Sequence, residues 1–263
     1  KTKVEMIHKL TEAAEIAADI IRNGFKKNVN IEFKTNESNI VTETDKKSEA
    51  EIINYIRKNF PTHNIITEES GEHLSSSEYT WVIDPLDGTT NFAHKLPIFA
   101  VSIGLLKRKE TIAGVVLDVM REIIYSAEAG SGAYANDRKL SVNENDNLRR
   151  SVLVTGFPYD INDNPYNAIE IFTTMLKKTR AIRRLGSAAI DFCYTAEGVF
   201  DGFWEVHLHP WDIAAGKLIV EEAGGIVTDF AGNKIDVFSK QILASNGKIH
   251  KPLSEIINSV VRK

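Results

Sequence analysis

The chain has 263 residues, of which 43% are hydrophobic, 26% charged and 8% aromatic. That composition excludes disordered, collagenous and coiled-coil classes and supplies a large core for one domain or two packed subdomains. The 32 basic and 36 acidic residues leave a net charge of −4, which disfavours a general nucleic-acid or anionic-membrane surface.

The spacing of Val4, Ile7, Leu10, Ala14, Ala17, Ile21 and Phe25 predicts an amphipathic helix over residues 4–25, stopped at Asn23-Gly24. Thr44-Asp45 leads into a second helix carrying Ile52, Ile53, Ile56 and Phe60, ended by Pro61. Residues 65–67 form a short buried strand running into Glu68-Glu69, and the polar stretch 70–80 reads as a loop. Residues 81–83 are a strand with Asp84 at its end. Residues 98–106, 112–119 and 122–127 form an antiparallel meander followed by a turn at Gly130-Ser131-Gly132. Beyond residue 150 come a strand at 151–155, a loop at 162–165, a helix at 166–178, a basic strand at 181–184 and a helix through 196. A strand at 199–206, a helix at 212–223 closed by Gly224-Gly225, strands near 226–229 and 242–244, and a helix at 252–262 complete the chain. Helices and strands come in blocks, so stacked α and β layers in two subdomains are expected, 1–149 and 150–263.

Cys193 is the single cysteine, so no intrachain disulfide forms and a reducing compartment fits. No apolar run approaches the roughly 18 residues of a membrane helix. The first residues lack a signal-peptide stretch, and the expected location is the cytoplasm.

The densest chemical signal is Asp84-Pro85-Leu86-Asp87-Gly88-Thr89-Thr90. Two carboxylates and the Leu86 carbonyl offer hard oxygens suited to Mg²⁺ or Mn²⁺. Gly88-Thr89-Thr90 would open a helix whose N–H groups cradle a phosphate. A cation between two anions reconciles the acids with that cradle. The bland alternative is a capped helix start, with Asp87 as the cap. Glu68, Glu69, Asp45 and Asp212 are further acids, each ordinary alone, together more than one cap requires.

These strings resemble the inositol monophosphatase family, within the wider superfamily of Mg²⁺-dependent, lithium-sensitive sugar and nucleotide phosphatases. One signature matches Trp81-Val82-Ile83-Asp84-Pro85-Leu86-Asp87-Gly88-Thr89-Thr90-Asn91-Phe92-Ala93-His94. A second matches Trp211-Asp212-Ile213-Ala214-Ala215-Gly216, continuing through Leu218-Ile219-Val220 to Gly224-Gly225. An upstream element matches Glu68-Glu69-Ser70. The resemblance implies a layered αβαβα sandwich with mixed and antiparallel sheets, often as a homodimer. It implies that Glu68, Asp84, the Leu86 carbonyl, Asp87 and Asp212 hold two or three Mg²⁺ ions, and that Asp45, Thr89 and Glu68 prepare the attacking water. Gly88, Thr89 and Thr90 would hold the phosphate. Asp87, Gly186, Ser187, Ala188, Glu205 and Asp212 would contact the alcohol. The metal and phosphate site falls in 1–149, and the substrate-side contacts with Asp212 in 150–263.

The expected activity is hydrolysis of myo-inositol 1-phosphate, or a similar polyol phosphate, by activated water without a phospho-enzyme. Arg180, Arg183 and Arg184 motivate an alternative, a fructose 1,6-bisphosphate, NADP or 3′-phosphoadenosine nucleotide phosphatase. Pairing with acids at a dimer interface is the preferred reading of the same run. A third alternative is a non-catalytic protein that binds phosphate ligands or a partner. His207 and His209 lack a third nearby ligand at zinc spacing, so structural or surface roles are expected. Trp204, Trp211, Phe200 and Phe203 read as core, and Cys193 as a small core residue.

Overall fold

The computed structural model describes residues 3–27, 31–34, 37 and 39–261, with side chains from residue 6 onward. The expected core contact of Val4 and helical residue 262 lie outside the described residues. Helix α1 (Lys3–Phe25) buries Leu10, Ala14, Ala17 and Ile21 completely, the stripe its periodicity demands. A two-stranded ribbon follows, β1 (Ile31–Phe33) with β2 (Ile40–Thr42), which no expected element covered. Thr42 then caps α2 (Glu43–Asn59), its hydroxyl accepting from Thr44 N.

The next strands are β3 (Asn64–Thr67), β4 (Gly71–His73) inside the expected loop, and β5 (Tyr79–Asp87). The short helix α3 (Thr89–Ala93) leads to β6 (Ala100–Lys107), β7 (Glu110–Asp118), β8 (Ile123–Glu128), β9 (Ala133–Ala135) and β10 (Arg138–Lys139). These strands form an eight-stranded sheet in the order β10-β9-β8-β7-β6-β5-β3-β4, with only β3 and β5 parallel among its pairs.

A five-stranded sheet comes from β11 (Val152–Thr155), β12 (Ala181–Arg183), β13 (Gly202–Val206), β14 (Ile226–Thr228) and β15 (Gln241–Ser245), ordered β12-β11-β13-β15-β14. The intervening helices are α4 (Ala168–Lys178), α5 (Ala188–Ala196), α6 (Pro210–Glu222) and α7 (His250–Val261). α4 starts two residues late because Asn164, Tyr166 and Asn167 adopt positive φ, which a helix cannot contain. α6 starts two residues early, with Pro210 in its first turn, where a missing N–H costs nothing.

The layers follow from what packs on what. α1 and α2 cover one face of the large sheet, and α5 and α6 cover the other. The small sheet lies beyond α5 and α6, with α4 and α7 outside it. The chain is therefore the expected αβαβα sandwich. Strands with helices on both faces read as unbroken apolar runs, which is why Trp81-Val82-Ile83 shows no alternation.

Candidate active site

Asp84 and Asp87 both come from strand β5 itself, which runs four residues beyond the expected end at Ile83. Three steps along a regular strand would point them to opposite faces. The pairing with β6 moves from Asp84↔Ser102 to Asp87↔Ala100, three residues against two, so β5 carries one extra residue here. Pro85 has no N–H to give the ladder, which favours a bulge at this point. The bulge returns both carboxylates to one side, and Leu86 N donates to Asp84 Oδ1 at 3.0 Å. Gly88 follows at φ +100°, turning the chain into α3 at Thr89.

Asp212 arrives from the start of α6, seated by glycine. A Cβ on Gly104 would lie 2.6 Å from Ala214 Cβ, and one on Gly114 2.8 Å from Ala215 Cα. The bare backbones of β6 and β7 therefore let α6 rest directly on the sheet. Ser102 Oγ donates to the Trp211 carbonyl at 3.1 Å, joining the helix start to the residue that pairs with Asp84. As a result, ligand oxygens of Asp84, Asp87 and Asp212 all lie within 4.8 Å of one another.

Burial pushes the Asp84 carboxyl well above the usual carboxylate range, with further repulsion from Glu68, Asp87 and Asp212. Burial and Asp212 push Asp87 up to about 7. An acid cluster that repels itself and is all oxygen fits a hard divalent cation. Glu68 is also raised by burial, and Lys34 offsets it. Lys34 Nζ stands 2.8 Å from Glu68 Oε1 and also pairs with Glu69. Buried Glu49 fixes the end of β3 that delivers Glu68, accepting from Thr67 Oγ1, Glu69 N and Ser70 N.

Thr89 Oγ1 donates to Asp45 Oδ1 at 2.8 Å, with the Leu86 carbonyl 3.1 Å away. Burial raises Asp45, against hydrogen bonds from Thr42 and Thr89. Its second oxygen accepts from Thr42 N and Thr42 Oγ1. On the opposite wall, Ser187 Oγ and Ala189 N donate to Asp87 Oδ2 at 2.6 and 2.7 Å. Glu205 is buried on β13 against Gly156.

Glu68, Asp84, Leu86, Asp87, Gly88, Thr89, Thr90, Gly186, Ser187, Ala188, Glu205 and Asp212 all line one cavity of about 600 Å³. Asp45 stands behind it, reached through Thr89. The cavity also takes in residues that the sequence did not single out for it: Lys34, residues 157–160, Asp191 and Lys240. No local motif announces them. Trp211 is a correction: it is only partly buried, lines the cavity and stacks on His209 at 4.8 Å and 2°. His207 and His209 stand at the cavity wall, where His207 Nδ1 faces Asp160 at 3.3 Å. Of the three arginines only Arg184 reaches the cavity. Phe200, Phe203, Trp204 and Cys193 are core, as expected.

Comparison with known proteins agrees with this architecture. The family model described as "Inositol monophosphatase family" matches residues 3–262. The chloroplastic phosphatase IMPL1 of Arabidopsis thaliana is 45% identical, over 93% of this chain and 68% of its own. The Nus factor SuhB of Escherichia coli is 42% identical, over 94% of each. A solved inositol monophosphatase from Anabaena superposes with a TM-score of 0.88 at 38% identity, covering 98% of both chains. The fold and the acid cluster define a phosphatase of a metal-dependent class. The chain belongs to the inositol monophosphatase family.

Proposed function

We propose that the chain is a Mg²⁺-dependent phosphomonoesterase acting on myo-inositol 1-phosphate or a close polyol phosphate. The observation that carries this reading is the convergence of Asp84, Asp87 and Asp212 with the Thr89–Asp45 pair on one cavity. Glu68, Asp84, the Leu86 carbonyl, Asp87 and Asp212 would hold the cations. When bound, these lower the pKa of water and offset charge on the phosphate and the leaving alkoxide.

The chain's own groups do the rest. Thr89 donates a hydrogen bond to Asp45 and so turns its lone pairs toward water; as it takes a proton from water, its own proton passes to Asp45. Asp45 is held for that role by Thr42. Gly88, Thr89 and Thr90 offer N–H groups and hydroxyls to the phosphate. Gly186, Ser187 and Ala188, tied to Asp87, face the alcohol with Glu205 and Asp212. Family membership also supports a homodimer, lithium sensitivity and a cytoplasmic location as parts of the same proposal.

Arg184 at the cavity supports the sibling reading, a bisphosphate or NADP phosphatase. The Nus factor name of the E. coli relative supports a partner-binding role. The test is phosphate release from inositol 1-phosphate, fructose 1,6-bisphosphate, NADP and 3′-phosphoadenosine 5′-phosphate, with Mg²⁺ and with chelator. Mg²⁺-dependent turnover that favours inositol 1-phosphate supports the proposal. Preference for a bisphosphate moves it to the sibling, and no turnover of any ester moves it to partner binding.

A further inference from the structure

Eight carboxylates are buried among the described residues. Six of them accept hydrogen bonds: Asp45, Glu49, Asp84, Asp87, Asp118 and Asp201. The other two, Asp191 and Glu205, receive no donor from any described residue, and both line the same cavity. Asp191 sits in the first turn of α5, four residues beyond Ser187, which is itself bonded to Asp87. The residue is 1% exposed, and its Oδ1 is enclosed without a partner.

An unsatisfied buried carboxylate is a cost that folding alone does not recover. Local charge explains why the cost persists: Asp191 is raised by burial first, then by Glu205 and Asp87, with Arg184 as the opposing cation. Glu205 faces Asp212, Asp87 and the same Arg184. Two buried carboxyl groups without a protein donor at one end of a cavity are complementary to a ligand that brings donors, which would favour their ionised, accepting form. Arg184 already provides the cation of this corner, so neutral hydroxyls suit it better than an ammonium.

We propose that Asp191 is a specificity-determining residue that, beside Glu205, accepts hydrogen bonds from hydroxyls of the leaving polyol and so selects hydroxyl-rich alcohols over bare ones. This rests on the phosphatase reading and adds to it a residue outside the expected alcohol contacts.

The test compares kcat/KM on inositol 1-phosphate with kcat/KM on 4-nitrophenyl phosphate, whose leaving group has no aliphatic hydroxyl. Wild type, Asp191→Asn and Asp191→Leu are measured with Mg²⁺, together with the melting temperature of each substrate-free protein. Losing a hydrogen bond to a charged acceptor should cut the polyol preference of Asp191→Leu by roughly 10- to 100-fold, mostly through KM. Asp191→Asn keeps one acceptor oxygen and falls between. Neither substrate-free variant should melt lower than wild type, because each removes a buried carboxyl group that has no partner. An unchanged preference in both variants overturns the proposal, and so does a lower melting temperature with the preference intact. A wild type inactive on both esters overturns the phosphatase reading and the proposal with it.

Discussion

At Thr89 one hydroxyl proton has two acceptors in reach, Asp45 Oδ1 at 2.8 Å and the Leu86 carbonyl at 3.1 Å. A cation on that carbonyl would leave the proton to Asp45, the arrangement that lets Thr89 accept a proton from water. Thr89→Val should therefore lower kcat by about 10²- to 10⁴-fold, whereas Thr89→Ser keeps most activity. A Thr89→Val enzyme as fast as wild type would show that the hydroxyl relay does not matter. Asp87 yields a second prediction, about pH. Its folded carboxyl titrates near 7 against an ordinary value of 3.8, so the metal-free fold keeps a proton that the unfolded chain releases. Stability from this group is full at low pH and drains away as pH rises from about 4 to 7. Denaturant unfolding in chelator should show a lower midpoint at about pH 8 than at about pH 5. Asp87→Asn should shrink that difference, and an unchanged difference would refute the assignment.

At the scale of elements, the seat of α6 on Gly104 and Gly114 places Asp212. Gly104→Ala must push against Ala214 and should cost about 1–3 kcal/mol in unfolding experiments. It should also weaken Mg²⁺ binding, because the helix start moves with the helix. Retention of both stability and affinity would show that α6 is placed otherwise. The run from Asp84 to Thr90 was readable because its chemistry is contiguous, and α1 because its stripe repeats over six turns. The bulge was not readable: it appears only when β5 is laid against β6, and the string alone ends the strand at Ile83. β1 and β2 are three residues each, and all three residues of Ile31–Phe33 are exposed, so no burial pattern marks the strand. Asp191 looks like an ordinary acid in a helix's first turn. Only the fold sets it beside Glu205, across the small sheet and α5.

Across the whole molecule, the cavity lies where the large sheet, α5, α6 and the small sheet converge, and its floor is a group of buried acids short of counter-charge. Such a fold spends stability on its site and should recover it on binding a cation. Mg²⁺ at a hundredfold excess over its Kd should stabilise the protein by about 2.7 kcal/mol. For a chain of this size that is roughly 5–10 °C in Tm. The same shift should be lost in Asp84→Asn, read by thermal unfolding without any substrate. The central claim, that this acid floor and the Thr89–Asp45 pair together hydrolyse a phosphate ester with Mg²⁺, is tested most directly by phosphate release. The measurement is the initial rate on inositol 1-phosphate as Mg²⁺ is titrated into chelator-treated wild type and Asp84→Asn. The account predicts a rate that rises from zero to saturation in wild type and stays near zero in the variant. A rate indifferent to chelator, or an Asp84→Asn enzyme as fast as wild type, would contradict it.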